Sequence, residues 1–174
     1  IGGTTSNIVA FTTPHAGPAI TNSTLTASAI QGVAFSGYTV TATGGDIVYS
    51  VDNVLPGLAI DSSTGSITGT PTSTSGGSWT IVLGAANSAG SDSKDLVVAY
   101  TAIPILDSAL TDTALEGAAF SYSITALNTP TSYAGTSLPG GLSVNTGTGA
   151  ITGTPTGTSS TTWNIGIGAT NAAG

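Results

Sequence analysis

The 174-residue chain carries 8 acidic residues against 1 Lys and no Arg, a formal net charge of −7, and neither Cys nor Met. One cation cannot neutralise a row of phosphates, which excludes nucleic acid and anionic membrane surfaces as partners, and the absence of Cys excludes disulfides and thiolate metal sites. Its 32 Thr and 22 Ser describe a neutral, hydroxyl-rich surface, while a mean hydropathy of +0.34 is too apolar for a disordered linker and predicts a folded protein. No stretch approaches the roughly 18–20 continuous apolar residues of a membrane span, so no membrane insertion is expected.

The chain begins at Ile1 rather than Met, which suggests a processed or excised sequence. Residues Gly3 to Thr12 read as one short strand whose apolar part is Ile8, Val9, Ala10 and Phe11. A linker of Pro14, His15, Ala16, Gly17 and Pro18 follows. Beyond it lie short β-branched or aromatic runs separated by Gly, Pro, Asn, Asp and Ser, the punctuation of an all-β sandwich, and no run has helical periodicity. Gly32-Val33-Ala34-Phe35 opens a pattern that continues through Leu55-Pro56-Gly57-Leu58 and Gly65-Ser66-Ile67-Thr68-Gly69-Thr70-Pro71-Thr72. Trp79 then leads a strand that ends in Gly84-Ala85-Ala86-Asn87-Ser88-Ala89-Gly90. Gly65 sits where a turn needs φ > 0, and Pro71 ends a strand by removing a ladder donor.

The same pattern returns as Gly117-Ala118-Ala119-Phe120, Leu138-Pro139-Gly140-Gly141-Leu142 and Gly149-Ala150-Ile151-Thr152-Gly153-Thr154-Pro155-Thr156. Trp163 and Gly168-Ala169-Thr170-Asn171-Ala172-Ala173-Gly174 complete the second copy. The copies are offset by 84 to 85 residues, a period that means tandem structural units. We divide the chain into an N-terminal strand (1–13), a first domain (14–100) and a second domain (101–174). In the two Trp-led strands the large apolar residues share one parity, which predicts Trp79 and Trp163 as core anchors beside Ile81, Leu83 and Ile165, Ile167.

These motifs resemble the bacterial putative-Ig and dystroglycan-type cadherin-like tandem repeats, and the resemblance covers both copies. It implies two seven-stranded Ig-like or cadherin-like sandwiches of the kind strung along secreted adhesins, surface fibres and multidomain extracellular enzymes, and therefore a location outside the cell or on its surface. The calcium motifs of cadherins are absent, so calcium-stiffened linkers do not carry over.

The first domain has the expected last strand, Ser91 to Tyr100, whereas the sequence given contains no equivalent for the second, which we read as incomplete. Residues 3–12 align with residues 90–99 when Gly3 is superposed on Gly90. A sandwich without its last strand exposes unpaired backbone groups beside apolar side chains, a template that another strand fills. The expected assembly is head to tail. The N-terminal strand of one copy would complete the second domain of the next, with Trp163, Ile165, Ile167 and Ala169 as the acceptor edge and either Ile8 and Ala10 or Val9 and Phe11 as the plugs. Such heterologous contacts do not close and make filaments. Two other readings stand beside it: two repeats of a longer covalent adhesin array, or a strand that folds back within one chain.

No catalytic constellation emerges, and no enzyme activity is expected. His15 is the single imidazole and lies in a linker, whereas a Ser-His-Asp triad needs a base fixed by packing. Asp46, Asp52 and Asp61 fall in turns and read as turn caps. Asp92, Asp95, Asp107, Asp112 and Glu116 cluster in sequence near the domain boundary and offer calcium-type oxygen ligands, though without a ligand spacing; no other cofactor is indicated. Lys94 is the single candidate for an intramolecular isopeptide bond. Asn22-Ser23-Thr24 is a glycosylation sequon. A second functional reading, passive or sugar-binding modules of a larger adhesin or extracellular enzyme, would require an exposed aromatic row, for which Tyr38, Tyr49, Tyr122 and Tyr133 are the candidates.

Overall fold

A computed structural model describes residues 15–157 and 162–174. The expected donor residues Ile8, Val9, Ala10 and Phe11 lie outside them. The described residues form sixteen strands and no helix, with the two sequence repeats folding as two sandwiches of the same plan.

The first contains β1 (Ala19–Ile20), β2 (Thr26–Ile30), β3 (Tyr38–Thr39), β4 (Ala42–Thr43), β5 (Val48–Asp52), β6 (Leu58–Ile60), β7 (Ser66–Gly69), β8 (Gly77–Asn87) and β9 (Gly90–Thr101). One sheet runs in the order β2-β9-β8-β5, where β9 is antiparallel to β8 and parallel to β2. The other runs β3-β7-β6, and β1 and β4 form a separate antiparallel pair. Alternation along β8 and β9 sends Ile81, Leu83 and Ala85, and Leu96, Val98 and Tyr100, into the space between the sheets, where all are buried with Val40, Leu55 and Ile67. Gly65 shows why the turn before β7 takes glycine: its φ is +73°, and a Cβ there would lie 2.5 Å from the Val40 carbonyl oxygen.

The second sandwich contains β10 (Ile105–Leu106), β11 (Phe120–Ser123), β12 (Ala126–Leu127), β13 (Ser132–Thr136), β14 (Leu142–Val144), β15 (Ala150–Gly153) and β16 (Gly166–Thr170). Its β11-β15-β14 sheet and β10-β12 pair reproduce the corresponding half of the first sandwich, and Ile124 and Ile151 are as deeply buried as Val40 and Ile67. The opposite sheet is reduced to β13-β16.

The two sandwiches meet at a hydrogen-bonded junction. Asn128, in a left-handed turn with φ 62°, donates from Nδ2 to the Thr74 and Ile103 carbonyls at 2.9 and 2.8 Å and accepts from Gly76 N at 3.0 Å. Ile103 N donates to Gln31 Oε1 at 2.8 Å. A second clamp occurs in both repeats. Asn87 Nδ2 donates to the Ala16 and Gly45 carbonyls, and Asn171 Nδ2 donates to those of Ala102 and Asn128, so each asparagine ties its turn to the segment entering its own sandwich.

Candidate functional site: an open groove in the second sandwich

In the first sandwich β9 is held from both sides. Its ladder to β8 runs from Gly77↔Tyr100 to Asn87↔Gly90, and its other edge pairs with β2 from Thr26↔Val97 to Ile30↔Thr101. Further bonds fasten it to the segment before β2. Ile20 N donates to Asp92 Oδ2 at 2.7 Å, Lys94 Nζ to the Asn22 carbonyl at 3.3 Å, and Val97 N to the Leu25 carbonyl at 2.9 Å.

Among the described residues, the second sandwich has no strand in that place. β16 pairs with β13 alone, and its far edge is open. The consequences fall on the residues that a covering strand would bury. Ile165 and Ile167 are half-buried, whereas their counterparts Ile81 and Leu83 are fully buried. Ala169 is likewise half-buried against a buried Ala85. Trp163 corrects the sequence expectation of a core anchor: it is 57% exposed and lies before the start of β16. Its counterpart Trp79 packs against the core with Nε1 donating to the Asn53 carbonyl at 2.7 Å. Of the four expected acceptor residues, Ile167 and Ala169 stand on the strand, while Trp163 and Ile165 precede it.

Sequence reasoning missed a second difference between the repeats. Residues 110–115 align with Leu25 and β2, yet they form no strand, and Leu110 and Leu115 are 81% and 76% exposed. Both ends of this segment are nevertheless placed as in the first sandwich. Tyr122 Oη donates to the Ala109 carbonyl as Tyr38 Oη does to that of Thr24. Gly117 N donates to the Pro155 carbonyl as Gly32 N does to that of Pro71. The available signal was the repeat itself, because Leu110-Thr111 and Gly117 match Leu25-Thr26 and Gly32.

Elsewhere the polar residues hold structure. Asp61 Oδ1 accepts from Ser63 Oγ, Ser63 N and Thr64 N, and these bonds, the Ser63 hydroxyl foremost, lower its pKa to about 2. Asn145 makes the equivalent turn with Gly147 N and Thr148 N. Asp46 lies 3.4 Å from His15 Nδ1. Asp92 is engaged by Ile20 N and Ser93 N, and Asp112 by Thr113 N. Asp92, Asp107 and Asp112 are not brought together, and among the described residues no three acidic or imidazole groups converge as metal ligands would. A shallow depression of about 350 Å³ on β5, β8 and β9 is lined by Ser50, Asp52, Gly84, Ser91, Asp92 and Ser93, and Asp92 accepts there from the backbone N–H groups of Ile20 and Ser93. The Asn22 amide is used on the backbone, donating to the Thr39 carbonyl and accepting from Thr41 N. Tyr38, Tyr49, Tyr122 and Tyr133 are half-buried and form no exposed row; Trp163 is the exposed aromatic side chain among the described residues.

Two sheets facing each other across a core, with β2 parallel to β9, define the architecture as tandem Ig-like sandwiches. The chain belongs to the family described as Putative Ig domain, which matches residues 17–101 and again 103–174. A three-Ig structure of titin domains has the same fold over 91% of this chain and 62% of its own length, at 16% identity and a TM-score of 0.52. The EC1-2 fragment of human protocadherin-24 aligns over 88% of this chain and 94% of its own, at 11% identity and 0.48. A putative alpha-galactosidase from Bacteroides fragilis is 29% identical over 53% of this chain, with a TM-score of 0.44, and the match spans 19% of that protein. No curated protein matches the chain. Ig-like folds are typical of extracellular and cell-surface proteins and are typically non-catalytic.

Proposed function

We propose that the protein is a non-enzymatic structural unit of an extracellular filament or surface fibre, in which the groove of the second sandwich receives residues 4–12 of the next copy. The observation that carries this reading is the contrast between repeats: the first sandwich has β9 between β8 and β2, and the second has both flanking walls with nothing described between them. An open edge beside half-buried Ile165 and Ile167 is a template for strand addition. Residues 4–12 suit the role because they align with β9 itself. Each copy then gives a strand at one end and receives one at the other, so the contact propagates instead of closing.

Electron microscopy and sedimentation of the 174-residue chain, beside a chain beginning at Pro14, test this. The reading expects end-to-end polymers from the first and monomers from the second. Polymers that persist without residues 1–13, or a full chain that stays monomeric, would overturn it.

A further inference from the structure

We infer that the acceptor is two-walled: the incoming strand runs antiparallel to β16 and parallel to residues 111–115, turning the latter into a strand, with Val9 and Phe11 facing the core. This rests on the strand-complementation reading above and adds the second partner segment and the register parity.

The second wall follows from what β9 does in the complete sandwich. There the antiparallel and parallel edges of β9 are used together, and β2 obtains its ladder from β9. Residues 111–115 repeat Thr26 and Ala29 as Thr111 and Ala114, set Leu115 at Ile30 and Asp112 at Ala27, and keep the same anchors at both ends, at Ala109 and Gly117, but lack the ladder partner. A lone strand of five residues is not stable without one. The exposed Leu110 corresponds to Leu25, which packs against the core beside β9. A strand in the groove therefore gains hydrogen bonds on both sides and covers apolar side chains from both walls.

The parity follows from the outline of β9. Val98 and Tyr100 point inward and are buried, while Val97 and Ala99 point outward. Residues 8–12 read Ile-Val-Ala-Phe-Thr against Val-Val-Ala-Tyr-Thr at 97–101, which sets Val9 on Val98 and Phe11 on Tyr100. Superposing Gly3 on Gly90 instead sets Val9 on Leu96 and Phe11 on Val98. The two alignments differ by two residues, and because side chains alternate with a period of two, both put Val9 and Phe11 inward. The opposite parity would keep Ile8 inward but set Ala10 and Thr12 where Val98 and Tyr100 stand in β9, one small and the other polar.

The test uses a chain beginning at Pro14, which retains every described residue, and a synthetic peptide of residues 1–13, followed by hydrogen exchange. The inference expects saturable binding and slowed exchange in two places, 110–116 and 163–170, with the β8-β9 amides as the control for folding. Val9→Asp or Phe11→Asp in the peptide should weaken binding by about a hundredfold or more, since a charge would enter an apolar site, whereas Ile8→Asp and Ala10→Asp should stay within about threefold. Protection confined to 163–170 would overturn the second wall and leave the reading under Proposed function standing. Sensitivity at Ile8 and Ala10 instead of Val9 and Phe11 would overturn the parity. Absence of peptide binding would overturn the strand-complementation reading together with this inference.

Discussion

The two sandwiches share motifs, turns and half of their packing, and they differ in one layer. Around β7 and β15 they are alike: Ile67 and Ile151 are both buried, and Gly65 and Gly149 make the same left-handed turn under Tyr49 and Tyr133. Around β8 and β16 they diverge, because Ile81 is closed in by β9 while Ile165 and Trp163 meet solvent. A single central strand thus completes three things at once, namely the core lid, the β8 ladder and the β2 ladder. Among the described residues no strand stands in its place in the second sandwich, and Leu110 and Leu115, far from β16 in sequence, are exposed there, because the sheet is assembled from non-local pairs.

The comparison can be broken most severely by Leu96→Asp. A carboxylate in the fully buried site of β9 has no partner, and the first sandwich should lose its cooperative unfolding transition, read by Trp79 fluorescence in a Trp163→Phe background. A matched pair of truncations sharpens it. Ile81→Ala should cost about 2–5 kcal/mol in urea titrations, and Ile165→Ala in the unpolymerised chain under about 1 kcal/mol, since the second removes contacts that are only half made. Gly65→Ala and Gly149→Ala should cost about 1–3 kcal/mol each and by similar amounts, because the φ values of +73° and +76° and the approach to the Val40 and Ile124 carbonyls are the same in both repeats. The smallest effect is pH-dependent. The Asp61 pKa lies at about 2, below its ordinary 3.8, so its contribution is present in full above pH 3.8 and lost as pH falls through 2. Relative to Asp61→Asn, the wild type should lose stability between about pH 4 and pH 2 in denaturant titrations, while the uncharged Asn145 turn gives the second sandwich no such dependence.

Much of the fold was legible because the repeat repeats its punctuation. Gly-x-Ile-Thr-Gly-Thr-Pro-Thr fixes a turn, a strand and a strand end within a few residues, and these depend on local geometry alone. The parity of Ile81 and Leu83 likewise gave the core face of β8. Trp163 was misplaced by the same rule: alternation identifies the inward face but not whether anything covers it. The wall at 111–115 was missed because Thr111-Asp112-Thr113-Ala114-Leu115 has an ordinary strand pattern whose pairing is decided by another segment. Asn128 could not be foreseen either. Its counterpart in the first repeat, Gly44, has no side chain, so the repeat comparison carried no sign that position 128 would join two sandwiches.

The parallel pairing of β2 with β9 has a mechanical consequence. The chain enters the first sandwich through β1 and then β2 and leaves it from the end of β9, so tension along the protein, once it has drawn β1 away from β4 and Asp92, pulls two parallel neighbours in opposite directions. Their hydrogen bonds are then sheared together instead of being peeled one at a time, and the sandwich yields only when the whole ladder from Thr26↔Val97 to Ile30↔Thr101 gives way at once.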